Sequence, residues 1–167
     1  MDSRELIRHA NRLIKSQRGA PKQIDLRRAI SAAYYALFHC FLRAAADDLI
    51  GVTAKAQRSA SYLLVYRAFE HSTMRQICQD AAKPKLPPKL AIALAIEQFP
   101  KEIRYAANVF ADLQDLRHKA DYNPHFRFYK SDAIDAAVRA AFATTQFEAA
   151  DKETRRLFLL SMLFRIR

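Results

Sequence analysis

The stretch of sequence that decides the fold runs from Gln23 to Leu49 and reads QIDLRRAISAAYYALFHCFLRAAADDL. It is rich in alanine, and its apolar residues recur every three or four positions, which is the spacing of one helix face. That face includes Ile30, Tyr34, Leu37, Phe41 and Ala45. We therefore predict one long helix over 23–49, ended by Gly51 and suited to be the spine of a helical bundle.

Helical spacing continues along the rest of the chain, and two-residue alternation is nowhere sustained, so we expect no sheet. The proline-rich segment 83–89 is a connector too short to separate two domains. The prediction is one all-α domain over 1–167, an up-and-down bundle of four to five main helices plus short ones. The other predicted helices cover 3–18, 54–82, 89–99 and 100–122, followed by one capped by Ser131 and a last stretch that is either continuous or capped by Asp151.

The composition combines a large apolar share with a strong positive charge. Hydrophobic residues make up 51% of the chain, the formal net charge is +11 and the isoelectric point is about 10.0. A domain this basic attracts polyanions, with nucleic acid first, although a solvated basic surface kept for solubility would give the same charge. The candidate RNA-binding residues form a basic row along the first helix: Arg4, Arg8, Arg12 and Lys15.

The chain carries no sign of export or of a membrane. Residues 1–12 alternate charged and apolar side chains instead of forming the apolar core of a signal peptide, and no apolar run approaches about 18 residues. Cys40 and Cys78 lie on apolar helix patterns without metal-ligand spacing, which favours buried small hydrophobes over ligands or a disulfide. These features fit a reducing cytoplasm.

A charged misfit on the helix predicted over 100–122 points to a site. Arg117 falls inside its apolar sector, and Asp121 lies at the edge of that sector. A cation that points toward a core or groove is costly unless something holds it. Either the two residues form a structural pair along the helix, or Arg117 faces a cleft and binds a phosphate through its planar guanidinium.

Other polar residues accompany this pair. His118 and His125 lie close in sequence, and an imidazole can exchange protons near neutral pH. Tyr122 follows Asp121 directly. A second polar row on the long helix contains Ser31, Tyr35, His39 and Arg43 at intervals of four. This row either lines the same cleft as Arg117 or is a helix flank hydrogen-bonded to its neighbours.

Motifs for other chemistries are missing from the sequence. It contains no glycine-rich phosphate loop, no HExxH and no paired-cysteine zinc spacing. The five histidines show no ligand spacing with carboxylates. We therefore expect no metal and no cofactor.

Two strings resemble the HEPN superfamily. LRRAISAAYYALFH over 26–39 is similar to the long second helix of many prokaryotic HEPN proteins, and LRHKADY over 116–122 is similar to the later helix that carries their motif arginine. The resemblance spans about residues 4–150. It implies a bundle that usually dimerises and, in active members, a metal-independent endoribonuclease of the toxin or defence type, often paired with a nucleotidyltransferase-type antitoxin.

The resemblance also implies roles for particular residues. Arg117 matches the motif arginine and His118 the polar residue after it. His125 takes the place of the motif histidine, with seven residues, 118–124, between it and Arg117, whereas the family usually has four to six. Asp121 and Tyr122 would orient these groups or position the phosphate and sugar.

Two functions follow from these residues. One is an HEPN-like endoribonuclease that uses Arg117 with His125 or His118, acting on RNA as a homodimer. The other is a non-catalytic helical module that binds a nucleotide, RNA or an acidic protein partner, in which Arg117 and Asp121 are only a buried clip. A sequence-specific DNA binder ranks below both, since no short helix-turn-helix pattern is present.

Overall fold

The structure, a computed structural model, describes residues 2–15 and 19–164. Within these ranges the chain is all-helical and contains no strand, as the sequence predicts. The helices of the described part are α1 Ser3–Ile14, α2 Gln23–Leu49, α3 Ala54–Gln57, α4 Ala60–Arg67, α5 His71–Ala81, α6 Pro88–Leu94, α7 Lys101–Tyr122, α8 Lys130–Ala149 and α9 Lys152–Leu163.

Most boundaries of the long helices agree with the sequence. The predicted bounds of α2 are confirmed, and Gly51 after it has a φ of +119°, which favours glycine. The end of α7 is also as predicted. Helix α1 ends before Lys15, and the rest of its predicted range, 16–18, lies outside the described residues. Helix α6 is shorter than the predicted 89–99, because Ala95 adopts a left-handed φ of +54°.

The prediction of one continuous helix over 54–82 is wrong. Three helices occupy this range, and Ser59 makes the first break by accepting a hydrogen bond from the backbone N–H of Tyr62 at 3.1 Å. A serine at this position satisfies an N–H that a new helix would otherwise leave unpaired. The second break, before His71, places Phe69 in the interior with 7% of its surface exposed.

The predicted cap of the helix after the loop is also wrong. Helix α8 begins at Lys130, so Ser131 already lies in its first turn. The carboxylate of Asp132 accepts a hydrogen bond from the backbone N–H of Tyr129 at 2.7 Å. A carboxylate in the first turn performs this role well because it also faces the positive end of the helix dipole.

The chain forms two compact units. One comprises residues 1–39 and 109–145, and the other comprises residues 40–108 and 146–167. The polar residues around Arg117, including Ser31, Tyr35 and Asp121, belong to the first unit. The single-domain organisation stays a prediction.

The core of the first unit is built around Tyr34, which has no exposed surface. Its ring lies 5.4 Å from that of Phe110 and 5.3 Å from that of Tyr35, measured between centroids. Buried alanines such as Ala33 and Ala136 allow the helices of this unit to approach one another closely. This packing fixes the faces of α2 and α7 that carry the polar site residues.

Phenylalanines form the core of the second unit. The ring of Phe41 lies 4.7 Å from Phe147 and 5.5 Å from Phe158, and Phe99 lies 5.6 Å from Phe158. All four side chains are nearly or completely buried. Such contacts bury large apolar side chains and stabilise the unit.

Both cysteines are buried and free, as the sequence predicts for small hydrophobic residues. Burial raises the pKa of the Cys78 thiol well above its usual value. The reactive thiolate is therefore suppressed, and Cys78 acts as a core residue.

Helix α2 is the one helix of the described residues whose length and composition would let it cross a membrane. The most apolar part of it has a mean hydropathy of 1.2, and 72% of that part is buried inside the protein. A core helix of a soluble protein is mostly buried and passes the same test, so α2 is only weak evidence for a span.

Asp151 caps α9, and its cap gives a test of pH dependence. Its carboxylate accepts a hydrogen bond from the backbone N–H of Thr154 at 3.0 Å, and this bond lowers the pKa of the carboxyl group. A lowered pKa in the folded state means stability that is present above the unfolded-state pKa and is lost as the pH falls through the folded-state value. Asp151→Asn keeps a capping oxygen but cannot titrate.

When the pH falls below about 4, we expect the melting temperature of the wild-type protein to decrease more than that of Asp151→Asn. Thermal unfolding followed by circular dichroism at about pH 6 and about pH 3 measures this difference. Parallel losses in the two proteins would show that the charge of this cap does not contribute.

Candidate functional site

Arg117 is held on α7 in a partly buried position, with 19% of its side chain exposed. Its Nε lies 2.6 Å from Oδ2 of Asp121, and the contact is an ion pair because Nε makes no directed hydrogen bond. Its Nη2 donates a hydrogen bond to the hydroxyl oxygen of Tyr35 at 3.0 Å. The expectation that other groups hold this cation is therefore confirmed.

Aromatic rings surround the guanidinium. Its Cζ lies 6.0 Å from the ring centroid of Tyr34, 5.6 Å from that of Tyr35 and 5.5 Å from that of Tyr122. Burial by itself lowers the pKa of Arg117, but Coulomb interactions with Tyr35, Asp121 and Tyr122 outweigh it and raise the pKa. The side chain is thus a permanent cation in a defined orientation.

Asp121 connects the two predicted polar groups. Its Oδ1 accepts a hydrogen bond from the hydroxyl of Ser31 at 2.7 Å, while its Oδ2 faces Arg117. Ser31 and Tyr35 of the polar row therefore meet the residues of α7. We call Ser31, Tyr35, Arg117, Asp121 and Tyr122 the Arg117 cluster.

The polar row divides beyond Tyr35. The ring of His39 stacks on Tyr35 with centroids 6.0 Å apart and an angle of 27° between planes. Arg43 instead forms an ion pair with Asp47 at 3.5 Å, in the second unit. Only the part of the row up to His39 therefore belongs to the surroundings of the cluster.

The third nitrogen of the Arg117 guanidinium, Nη1, differs from the other two. Among the described residues, Nη1 of Arg117 has no hydrogen-bond partner. The other two nitrogens are fixed by Asp121 and Tyr35, so the direction of Nη1 is also fixed. An oriented N–H group on a partly exposed cation is suited to bind an anionic oxygen.

The two histidines differ in their relation to the cluster. His118 is exposed on α7, and its ring lies 5.0 Å from that of Tyr122, which also contacts Arg117. His125 is exposed in the turn after α7, where its backbone N–H donates to Oδ1 of Asn123 at 3.1 Å. No contact joins its side chain to Arg117 within the described ranges. The structure therefore brings His118, and not His125, to the edge of the cluster.

Arg27, which the sequence did not indicate as a site residue, holds the segment after α7. Its guanidinium donates to the backbone oxygens of Ala120 at 2.7 Å and Asn123 at 2.9 Å, and also to that of Phe126. Arg27 lies four residues before Ser31, so extending the polar row back by one turn would have found it.

A second connection fixes the same segment from α2. The side-chain amide of Gln23 donates to the backbone oxygen of Phe128 at 2.7 Å and accepts from its N–H at 3.0 Å. Asn123 forms a turn of its own by accepting from the N–H groups of His125 and Phe126. An Asn before a proline often forms such a turn, so the pair Asn123–Pro124 could have predicted this turn from the sequence.

The predicted basic row on α1 is exposed to solvent at all four positions. Arg8 lies 3.8 Å from Glu5 in a weak surface ion pair. A face of this kind fits a nucleic-acid backbone and also fits a solvated surface, so the role of Arg4, Arg8, Arg12 and Lys15 stays a prediction.

No protein-family model matches the chain, and neither the curated proteins nor the solved structures with which it was compared gave a match. In residues 2–15 and 19–164 there is no group of three or more histidine, cysteine, aspartate or glutamate side chains placed to hold a metal ion.

Proposed function

We propose that this chain is an HEPN-like helical bundle and a metal-independent endoribonuclease in which Arg117 binds the phosphate to be cleaved. The observation that carries this proposal is the guanidinium fixed by Asp121 and Tyr35 with Nη1 left without a partner. A cation oriented before the substrate arrives stabilises developing negative charge without having to reorganise.

The reaction needs a base, a nucleophile and a group that stabilises charge. A histidine takes the proton of an RNA 2′-hydroxyl, and the 2′-oxygen forms a bond to the adjacent phosphorus. The bond from phosphorus to the 5′-oxygen breaks, and that oxygen takes a proton from a water molecule, to which the imidazolium returns the proton it had taken. The products are a 2′,3′-cyclic phosphate and a 5′-hydroxyl, while Arg117 holds the non-bridging oxygens.

His118 is the base in this proposal. Tyr122 contacts both His118 and Arg117, so an RNA phosphate on Arg117 would lie close to the imidazole. His125 is the alternative that the resemblance to HEPN proteins implies. It lies on the turn after α7, which a bound RNA would have to draw toward Arg117.

The wider setting follows from charge and resemblance. A net charge of +11 favours RNA as the ligand and makes binding weaker at higher salt. We propose a homodimer in the cytoplasm, with a nucleotidyltransferase-type antitoxin as the protein partner. Each subunit of the homodimer would then carry one copy of the site, with both candidate bases, His118 and His125.

The second candidate function is a non-catalytic HEPN-related module that binds a nucleotide, RNA or a protein. The chain of contacts from Arg117 through Asp121 to Ser31 favours it, because this network also ties α7 to α2 without any substrate. In this case the cluster is a structural clip, and the basic faces alone bind the partner.

The test is cleavage of a mixed pool of RNAs by the purified protein in EDTA. We expect cleavage that leaves 2′,3′-cyclic phosphate ends, because the 2′-oxygen is the nucleophile. The matching oligonucleotides with 2′-deoxy sugars should stay intact for the same reason. His118→Ala should lower the rate by about 100-fold or more, and His125→Ala should change it little.

The outcomes identify the catalytic base and distinguish the nuclease from the non-catalytic module. Loss of cleavage in His125→Ala alone would move the base to His125 and leave the nuclease in place. Binding of several RNA pools without cleavage of any would overturn the nuclease and favour the non-catalytic module. Cleavage that EDTA abolishes would contradict the metal-independent mechanism.

A further inference from the structure

A recess of about 500 Å³ opens beside the Arg117 cluster, entirely within the first unit. The start of α2, the end of α7 and the segment that follows α7 form its walls. Its size lies within the range of about 300–1,000 Å³ that is usual for small-molecule sites. It is lined by Gln23, Ile24, Arg27, Ala120, Asp121, Tyr122, Pro124, Phe126 and Arg127.

The irregular wall of the recess is held in place. Arg27 binds the backbone oxygens of Asn123 and Phe126, and Gln23 binds both backbone groups of Phe128. Hydrogen bonds from α2 at both ends of this segment restrict its backbone. The recess is therefore formed before any ligand arrives, which reduces the ordering cost of binding.

Aromatic surface is exposed at the recess. Tyr122 has 63% of its surface exposed and Phe126 has 38%, whereas most phenylalanines of the chain are buried. Exposed aromatic side chains next to basic groups are what proteins use to stack unpaired bases. The flat, apolar part of a ligand would therefore lie against Tyr122 and Phe126.

The charge of the recess is positive. Arg27 and Arg127 face a single carboxylate, Asp121, which is already paired with Arg117. In the described ranges the side chain of Arg127 makes no hydrogen bond or ion pair. Nζ of Lys119 lies over the ring of Phe126, 5.5 Å from its centroid, and adds another cation beside that ring. A ligand with a flat ring and an adjacent anionic group fits these walls.

We propose that this recess receives one unpaired base of single-stranded RNA, stacked on Phe126 and Tyr122, with Arg127 on a phosphate next to it. This inference rests on the proposed ribonuclease function, since Asp121 and Tyr122 belong to both sites. A base in a duplex is stacked between its neighbours and cannot enter a recess, so the site selects single strands. It also places the neighbouring phosphate toward Arg117.

Binding of labelled oligonucleotides tests the proposal separately from cleavage. The probe is a single strand of about ten nucleotides with 2′-O-methyl sugars, which cannot supply the attacking hydroxyl, and a duplex of the same sequence. Fluorescence anisotropy should show tighter binding of the single strand. Phe126→Leu, which keeps an apolar side chain without a ring face, should weaken that binding by about 5- to 100-fold.

Arg127→Ala gives a second, independent measurement. It should lower the slope of log affinity against log salt concentration by about 0.7, the value for one phosphate contact on a single strand. The matched controls are Tyr129→Leu and Lys130→Ala, which remove an exposed ring and an exposed cation just outside the recess. These two should leave the preference for single strands unchanged.

The outcomes separate this inference from the proposed function. Equal binding of duplex and single strand, or variants Phe126→Leu and Arg127→Ala that bind as the wild type does, would overturn the base site even if RNA is cleaved. Selective binding that depends on both residues, in a protein that cleaves no RNA, would support the base site and overturn the nuclease.

Discussion

Arg117→Ala is expected to reduce the rate of RNA cleavage by about 100- to 1,000-fold. The guanidinium is the only cation in the Arg117 cluster, and removing one oriented group that stabilises transition-state charge typically has an effect of this size. Arg117→Lys should recover only part of the rate, because one ammonium cannot hold Asp121, Tyr35 and a phosphate together. Initial rates of cleavage in EDTA measure both variants.

The control for this prediction is Arg67→Ala, which removes an exposed arginine from α4 in the second unit. It lowers the net charge by the same amount and should leave the rate nearly unchanged. Circular dichroism and the melting temperature show whether each variant is folded. A folded Arg117→Ala that cleaves RNA at the wild-type rate would leave Arg117 as a structural clip.

The fold was largely predictable because helix periodicity is a local property. The bounds of α2 follow from an alanine-rich sequence with a continuous apolar face, and the cap of α9 by Asp151 was one of the two alternatives that the sequence left open. The helix predicted over 54–82 was wrong because Ser59 and the burial of Phe69 break it. A polar side chain that competes for backbone hydrogen bonds gives only a weak periodic signal.

The site could be predicted from the sequence where a charged residue interrupts the apolar face of a helix. Arg117 stood out from an apolar sector, and the polar row with Ser31 and Tyr35 could be placed on α2. That these residues meet was an open alternative, since periodicity gives a face and not its neighbour. The residues after α7, including Phe126 and Arg127, lie outside any helix, so no period could have assigned their directions.

Arg27→Leu is expected to lower the free energy of unfolding by about 1–3 kcal/mol and to loosen the segment after α7. Arg27 donates to the backbone oxygens of Ala120, Asn123 and Phe126, and the first of these belongs to the last turn of α7. Backbone oxygens at a helix C-terminus have no partner within the helix, so a cation there both bonds them and meets the helix dipole. Chemical denaturation measures the loss of stability.

The local part of this prediction is tested by hydrogen exchange. The backbone N–H of Phe128, which donates to Gln23, should exchange faster in Arg27→Leu than in the wild type if the segment opens. Arg28→Leu is the matched control, because this neighbouring arginine is exposed and, among the residues that the structure describes, makes no hydrogen bond or ion pair with the segment. If the free energy of unfolding falls equally in the two variants, the effect comes from removing any cation from this end of α2. The hydrogen bonds of Arg27 to the segment would then not be its cause. A loss confined to Arg27→Leu, accompanied by weaker binding of single-stranded RNA, would tie the rigidity of the segment to the recess that it walls.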